Sequence, residues 1–265
     1  MYIIILGAPG SGKGTTAKIL AKRTNLPHIS TGDMFREQIK KETELGKLAN
    51  SYISQGKLVP DEVTIGILKE RLNWEDTKDG VILDGFPRTI EQANALDKIL
   101  KEKGKDVDIV PELVVPDQII IERILNRATC SNKKCGAIYN TKFKPSKIDG
   151  ICDICGSVLS TRTDDTEETI KTRLKVYREN SKDLIEYYKE KGVLVTITPE
   201  NPTADNASEQ AVDIILSKWF LIFFTYSIIN KNRKCQLAQQ PDECKWVQIE
   251  ANFILVVQKN EDFFV

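Results

Sequence analysis

Short apolar runs alternate along this chain with longer stretches whose apolar residues recur at helical spacing. Tyr2–Leu6 is unbroken and stops at Gly7, and Val81–Leu83 stops at Asp84. Leu113–Val115 and Val193–Ile197 follow, with Pro27–Ser30 as a weaker fifth run. Strands that are apolar at every position are covered on both faces, and helices between them make the sheet parallel. Residues 15–24, 89–103, 117–127, 167–191 and 205–218 read as those helices. In the fourth, Ile170, Leu174, Tyr177, Leu184, Ile185 and Tyr188 are spaced for one stripe. The acids Asp164, Asp165, Glu167 and Glu168 stand at its start, where the helix dipole favours them. The expected fold is α/β, a parallel five-stranded sheet with helices on both faces.

Two stretches break the alternation. Residues 31–59 are polar and helical between two strands, and residues 129–160 are rich in Cys, Lys and Gly without helical periodicity. Excursions of this length at the carboxyl ends of parallel strands are commonly lids or substrate clamps.

The strongest chemical signal is Gly7-Ala8-Pro9-Gly10-Ser11-Gly12-Lys13-Gly14-Thr15, which leaves the first strand and opens the first helix. Glycines let the backbone curl with its N–H groups turned inward on an anion. The helix N-terminus adds its dipole, and the lysine reaches the outer phosphates. This is the phosphate loop of a P-loop NTPase. Its general form has Ser or Thr directly after the lysine to meet Mg²⁺; here Gly14 stands there and Thr15 comes one later. Asp84, ending an apolar strand, is the second metal-side candidate, directly or through water. The alternative is a turn-starting aspartate before Gly85.

Gly7–Thr15 resembles the loop of the nucleoside monophosphate kinases, and further motifs narrow the likeness to the adenylate kinase family. Ser30-Thr31-Gly32-Asp33-Met34-Phe35-Arg36 looks like that family's first monophosphate-binding segment, and Gly56-Lys57-Leu58-Val59-Pro60-Asp61 like its second. Leu83-Asp84-Gly85-Phe86-Pro87-Arg88-Thr89 with Gln92 is the most specific stretch. The likeness covers about Met1 to Trp219. It implies a core of residues 1–30, 60–127 and 161–219, a helical AMP-binding insert at 31–59 and a lid at 128–160. Residues 220–265 are left as an extension of unassigned role.

The activity implied is phosphoryl transfer from Mg-ATP to AMP, giving two ADP. On the ATP side the resemblance places Gly10, Ser11, Gly12, Lys13, Gly14 and Thr15, with Arg123 on the adenine and Arg127 on phosphate. On the AMP side it places Thr31, Arg36, Lys57, Leu58, Val59, Gly85, Arg88 and Gln92, with Gln92 reading the adenine edge. A threonine at Thr31 goes with adenine preference. Arg162 and Arg173, flanking Asp164-Asp165, complete the AMP side. Lys13, Asp84, Arg88, Arg127, Arg162 and Arg173 form the implied catalytic set. Arg123 and Arg127 are spaced to share one helix face. Six of the ten arginines in a lysine-rich chain thus fall at phosphate positions, where a planar two-point grip matters.

Cys130 and Cys135 are separated by four residues and Cys152 and Cys155 by two, and a glycine follows Cys135 and Cys155. Two such thiolate pairs brought together make a closed tetrahedral Zn²⁺ site, which is structural because no position is left for substrate. This too is similar to adenylate kinases with a long zinc-bearing lid. Their first pair is normally separated by two residues, and Asn132 stands where that spacing would put a cysteine. Whether Cys130 ligates is therefore open at this stage.

Composition narrows the alternatives. Lys+Arg and Asp+Glu are equal at 38, so the basic excess of a nucleic-acid binder is missing. The opening residues carry no basic leader, and the longest apolar run, 219–229, is too short to span a bilayer. A cytoplasmic monomer is expected. With one histidine, His28, read as structural, a histidine base is not expected. Nor is a base needed, because the AMP phosphate oxygen is already anionic. The competing readings are a sister kinase with another donor or acceptor base, and a non-catalytic nucleotide-binding scaffold. The extension carries Cys235 and Cys244, which are assigned to neither metal nor catalysis.

Overall fold

The computed structural model describes residues 1–132, 134–204 and 206–221. Its strands are β1 (Tyr2–Gly7), β2 (His28–Ser30), β3 (Val81–Asp84), β4 (Val110–Leu113), β5 (Arg127–Cys130), β6 (Ile138–Asn140), β7 (Leu159–Ser160) and β8 (Leu194–Ile197). Its helices are α1 (Lys13–Thr24), α2 (Thr31–Lys40), α3 (Glu44–Ile53), α4 (Asp61–Arg71), α5 (Ile90–Glu102), α6 (Asp117–Leu125) and α7 (Glu167–Glu190), followed by helical residues 207–221. The chain divides into two compact units, 1–212 and 213–265, and the second is described only over 213–221. Expectations for the rest of the extension, Cys235 and Cys244 included, lie outside the described residues.

Five strands form a parallel sheet in the order β2-β3-β1-β4-β8. β1 is buried at all six positions, as its unbroken apolar run requires of a central strand. Its residues alternate between the two faces. Tyr2, Ile4 and Leu6 join Leu96 and Leu100 of α5 and Leu184 and Tyr188 of α7 in one core. A second core joins Ala8 and Val115 to Ile120 and Ile124 of α6 and to Ile170 and Leu174 of α7.

Strand order positions the site. The register pairs Ile5 with Asp84 and Gly7 with Leu113, so β1, β3 and β4 end side by side. The chain leaves the central strand between two neighbours, the crevice in which open α/β sheets bind ligands.

Two expectations need correction. The fourth strand is Val110–Leu113, not Leu113–Val115; it carries Pro111, whose missing N–H disfavours a strand locally. Val114 beyond it is 39% exposed. Arg123 and Arg127 do not share a helix face. α6 stops at Leu125, and Arg127 opens β5, where it pairs with Asn140 of β6. Residues 31–59, expected to be helical, form two helices, α2 and α3; each opens on a side-chain cap, Ser30 Oγ accepting from Asp33 N and Thr43 Oγ1 from Gly46 N. The cysteine-rich stretch forms a small antiparallel sheet in the order β6-β5-β7.

Candidate functional site

A cleft of about 990 Å³ opens at the carboxyl ends of β1 and β3. It lies within the first unit. Every nucleotide-side residue expected from the sequence lines it except Ser11, whose side chain is buried.

The phosphate loop supplies its floor. α1 begins after Gly12, which has φ +103° and gives no side-chain cap, so the first helical N–H groups stay available to an anion. Lys13 Nζ donates to the Gly7 and Ala8 carbonyls at 2.7 and 2.8 Å. Burial holds its ammonium down to about 8, against an opposing pull from Asp84. Gly14 fits a close approach: a Cβ there would stand 3.3 Å from Asp84 Oδ2.

Asp84 lies opposite the loop. Burial works to raise its carboxyl, and the neighbouring His28 and the charge of Lys13 outweigh burial, holding it below the ordinary carboxylate range. His28 Nε2 is 3.5 Å from Asp84 Oδ2. The histidine is thus a neighbour of the candidate metal-side group, a contact the sequence reading did not foresee.

Around Gly85 the acceptor-side residues form one cluster. Its carbonyl accepts from both Thr31 Oγ1 and Arg88 Nε at 2.8 Å. Gly85 has φ +75°, and a Cβ would meet Arg88 Nη2 at 2.9 Å, so only glycine suits the position. Gln92, 2% exposed, accepts from the Arg88 backbone N–H and donates to Asp61. Arg36 pairs with Asp33, while Lys57, Leu58 and Val59 line the same end.

The remaining arginines converge on the same cleft. Arg127 is held in a two-point pair by Asp165 at 2.9 and 2.5 Å, and Arg173 pairs with Asp164 and, at 3.6 Å, with Asp165. The Arg162 guanidinium makes no hydrogen bond or ion pair with a described residue, although its backbone carbonyl accepts from Asp165 N. Burial, with the charges of Arg36 and Arg127, holds it down to about 10. Arg88 is lowered by burial and by Arg173 and Arg36. Buried cations that disfavour one another's charge form a site completed by a polyanion. Arg123 donates to the Gly10 and Ser11 carbonyls at 3.3 and 3.1 Å and to Pro202 O.

The four cysteines Cys130, Cys135, Cys152 and Cys155 meet. Their sulfurs lie within 4.8 Å of one another, with Cys130–Cys155 at 3.4 Å and Cys135–Cys152 at 3.7 Å. Four thiolates around one zinc stand about 3.8 Å apart, so the set fits that metal, Cys130 included. Within this longer spacing Asn132 O accepts from Cys135 N and Gly136 N.

Two further contacts were not legible in the sequence. Lys18 of α1 donates to Gly136 O at 2.5 Å. Asp61 was visible only as the end of a motif; nothing in its spacing tied it to Gln92.

The sequence profile described as "Adenylate kinase" matches residues 5–193. An adenylate kinase of Caldicellulosiruptor bescii is 52% identical over 209 residues, covering 79% of this chain and 96% of that protein. One of Archaeoglobus fulgidus is 52% identical over 197 residues, 74% and 90% of the two chains. One of Staphylococcus aureus is 48% identical over 215 residues, 81% and 99%. With its parallel sheet, its phosphate loop and its arginine-lined cleft, the chain belongs to the adenylate kinase family.

Proposed function

We propose that this chain transfers the terminal phosphoryl group of Mg-ATP to AMP and works the reaction in both directions. An oxygen of the AMP phosphate bonds to the γ-phosphorus, the bond to the β,γ-bridging oxygen breaks, and two ADP result. The observation that carries the reading is the convergence of Lys13, Arg88, Arg127, Arg162 and Arg173 on one cleft between the phosphate loop and the Thr31–Gly85–Gln92 cluster. Such transfer needs positioning, charge neutralisation and exclusion of water more than covalent help.

In this reading the loop from Gly10 to Thr15, with Arg123 and Arg127, holds ATP. Thr31, Arg36, Lys57, Leu58, Val59, Gly85, Arg88, Gln92, Arg162 and Arg173 hold AMP. Thr15 and Asp84 are the groups suited to the Mg²⁺ that arrives with ATP, which neutralises phosphate charge. Residues 31–59 serve as the acceptor-side insert and 128–160 as the lid, on a core of 1–30, 60–127 and 161–219. Zinc held by Cys130, Cys135, Cys152 and Cys155 stiffens the lid so that it moves as a unit. A cytoplasmic monomer belongs to the same reading. Among the described residues, no helix is long and apolar enough to cross a membrane.

The test is a coupled assay for ADP formation from Mg-ATP with AMP, CMP, UMP and GMP offered in turn. Turnover with AMP alone is expected. Failure with AMP, or equal turnover with every acceptor, would overturn the proposal.

A further inference from the structure

We propose that Asp61 is the positioning residue that sets base specificity: it locks the Gln92 side-chain amide in the one orientation that reads adenine and rejects a 6-oxopurine. The inference rests on the reading above, in which Gln92 faces the base of the acceptor.

Gln92 is held at both ends of its amide. On one side Asp61 Oδ1 accepts from Nε2 at 2.7 Å. On the other, the Arg88 backbone N–H donates to Oε1 at 2.8 Å. Asp61 is fixed in turn, because its Oδ2 accepts from Thr89 Oγ1 at 2.7 Å. The same Thr89 hydroxyl caps α5 by accepting from Gln92 N at 3.2 Å. Asp61 is the first residue of α4, where the helix dipole favours a carboxylate.

The two ends of a glutamine amide are nearly the same size, so only hydrogen-bond partners decide which is which. Here both partners are unambiguous. A carboxylate accepts only, and a backbone N–H donates only. Turning the amide over would set Oε1 against the carboxylate and the NH₂ group against the N–H. Two bonds would be lost and two like poles brought together, with the residue too buried for water to compensate.

What the locked amide has left is one N–H and one oxygen lone pair. Adenine presents the complement: an acceptor at N1 and a donor at the 6-amino group. Hypoxanthine and guanine present the reverse, a donor at N1 and an acceptor at O6, and would need the amide turned over. Arg88 contributes a main-chain group that substitution cannot remove. Asp61 is the removable half of the lock, and it touches no reacting atom.

The test compares AMP with inosine monophosphate as acceptors in the full-length protein, reading kcat/KM for each with Mg-ATP saturating. In Asp61→Ala the ratio of AMP to inosine monophosphate should fall by about tenfold, the size expected when a polar group that rejects the wrong base is set free. The KM for Mg-ATP should stay in place. Asp61→Asn, nearly the same shape, can donate as well as accept, so it too should lower the ratio; it carries the test should the alanine variant fail to fold. An unchanged ratio in a folded variant, with the ratio collapsing in Gln92→Ala, would overturn the lock while leaving Gln92 as the reader. An unchanged ratio in Gln92→Ala as well would overturn the underlying reading, and the lock with it.

Discussion

Lys18 Nζ donates to the carbonyl of Gly136 across 2.5 Å, tying α1 to the knuckle that follows Cys135. The two residues are 118 positions apart in sequence. A charged donor on a carbonyl contributes about 1.5–3 kcal/mol when well placed, enough to bias the closure of the lid proposed at 128–160. Lys18→Met should raise the KM for Mg-ATP by about tenfold while leaving that for AMP in place. Lys18→Arg, which keeps a donor, should restore most of the loss. Steady-state kinetics with each nucleotide varied in turn would show this. An unmoved KM for Mg-ATP in a folded Lys18→Met protein would mean that lid position does not depend on the contact.

Lys13 is a buried cation held by two loop carbonyls until phosphate arrives. Lys13→Ala should lower kcat by roughly two to three orders of magnitude, the loss typical of one preorganised electrostatic group. Stability should not fall in step, since burial already disfavours the charge. Coupled turnover and a thermal melt on the same sample check both halves. Near-normal turnover would remove the loop from the mechanism.

The same group gives a pH signature. Its folded pKa, about 8, lies below the ordinary 10.5. Between those values the unfolded chain holds the extra proton, so this lysine makes stability rise with pH across that window. Binding runs the other way. Phosphate favours the charged ammonium, so nucleotide binding takes up a proton above about pH 8 and weakens as pH rises further. Titration calorimetry at pH 9 in two buffers of different ionisation enthalpy should reveal that uptake, and Lys13→Ala should abolish it. A proton count near zero at pH 9 in the unsubstituted protein would contradict the assignment.

Cys152 is 1% exposed, with its sulfur beside those of Cys130, Cys135 and Cys155. Cys152→Ser should release zinc and lower the melting temperature by several degrees, because metal binding energy is folding energy in such a site. Metal analysis of the purified protein decides it. Zinc-free protein before any substitution, with the same melting temperature after it, would rule the metal out.

How far the sequence went follows from what each signal depends on. β1 and the loop after it were readable because an unbroken apolar run and a glycine-rich turn are local. The Gly85 cluster was readable through its likeness to known motifs. The end of α6 was not, because Arg127 is drawn into β5 by pairing with Asn140, and that partner lies in the next strand along the chain. β4 was misplaced because Pro111 argues locally against a strand that its neighbours β1 and β8 enforce. Lys18 and Asp61 were missed for a similar reason: their partners, Gly136 and Gln92, are distant in sequence and carry no spacing signal.

The chain as a whole is electrically neutral, yet its cleft is lined by eleven Lys and Arg against four Asp and Glu. The balancing carboxylates therefore lie elsewhere, and the protein is polarised about its site. A polyanion approaching from the wrong side meets repulsion, while one approaching the mouth is drawn in by a field that low-dielectric walls concentrate. That guidance reaches only about 8 Å at physiological salt, so it acts on the last step of an encounter. Capture of nucleotide by this neutral chain should accordingly slow as salt is added, behaviour that its net charge would never announce.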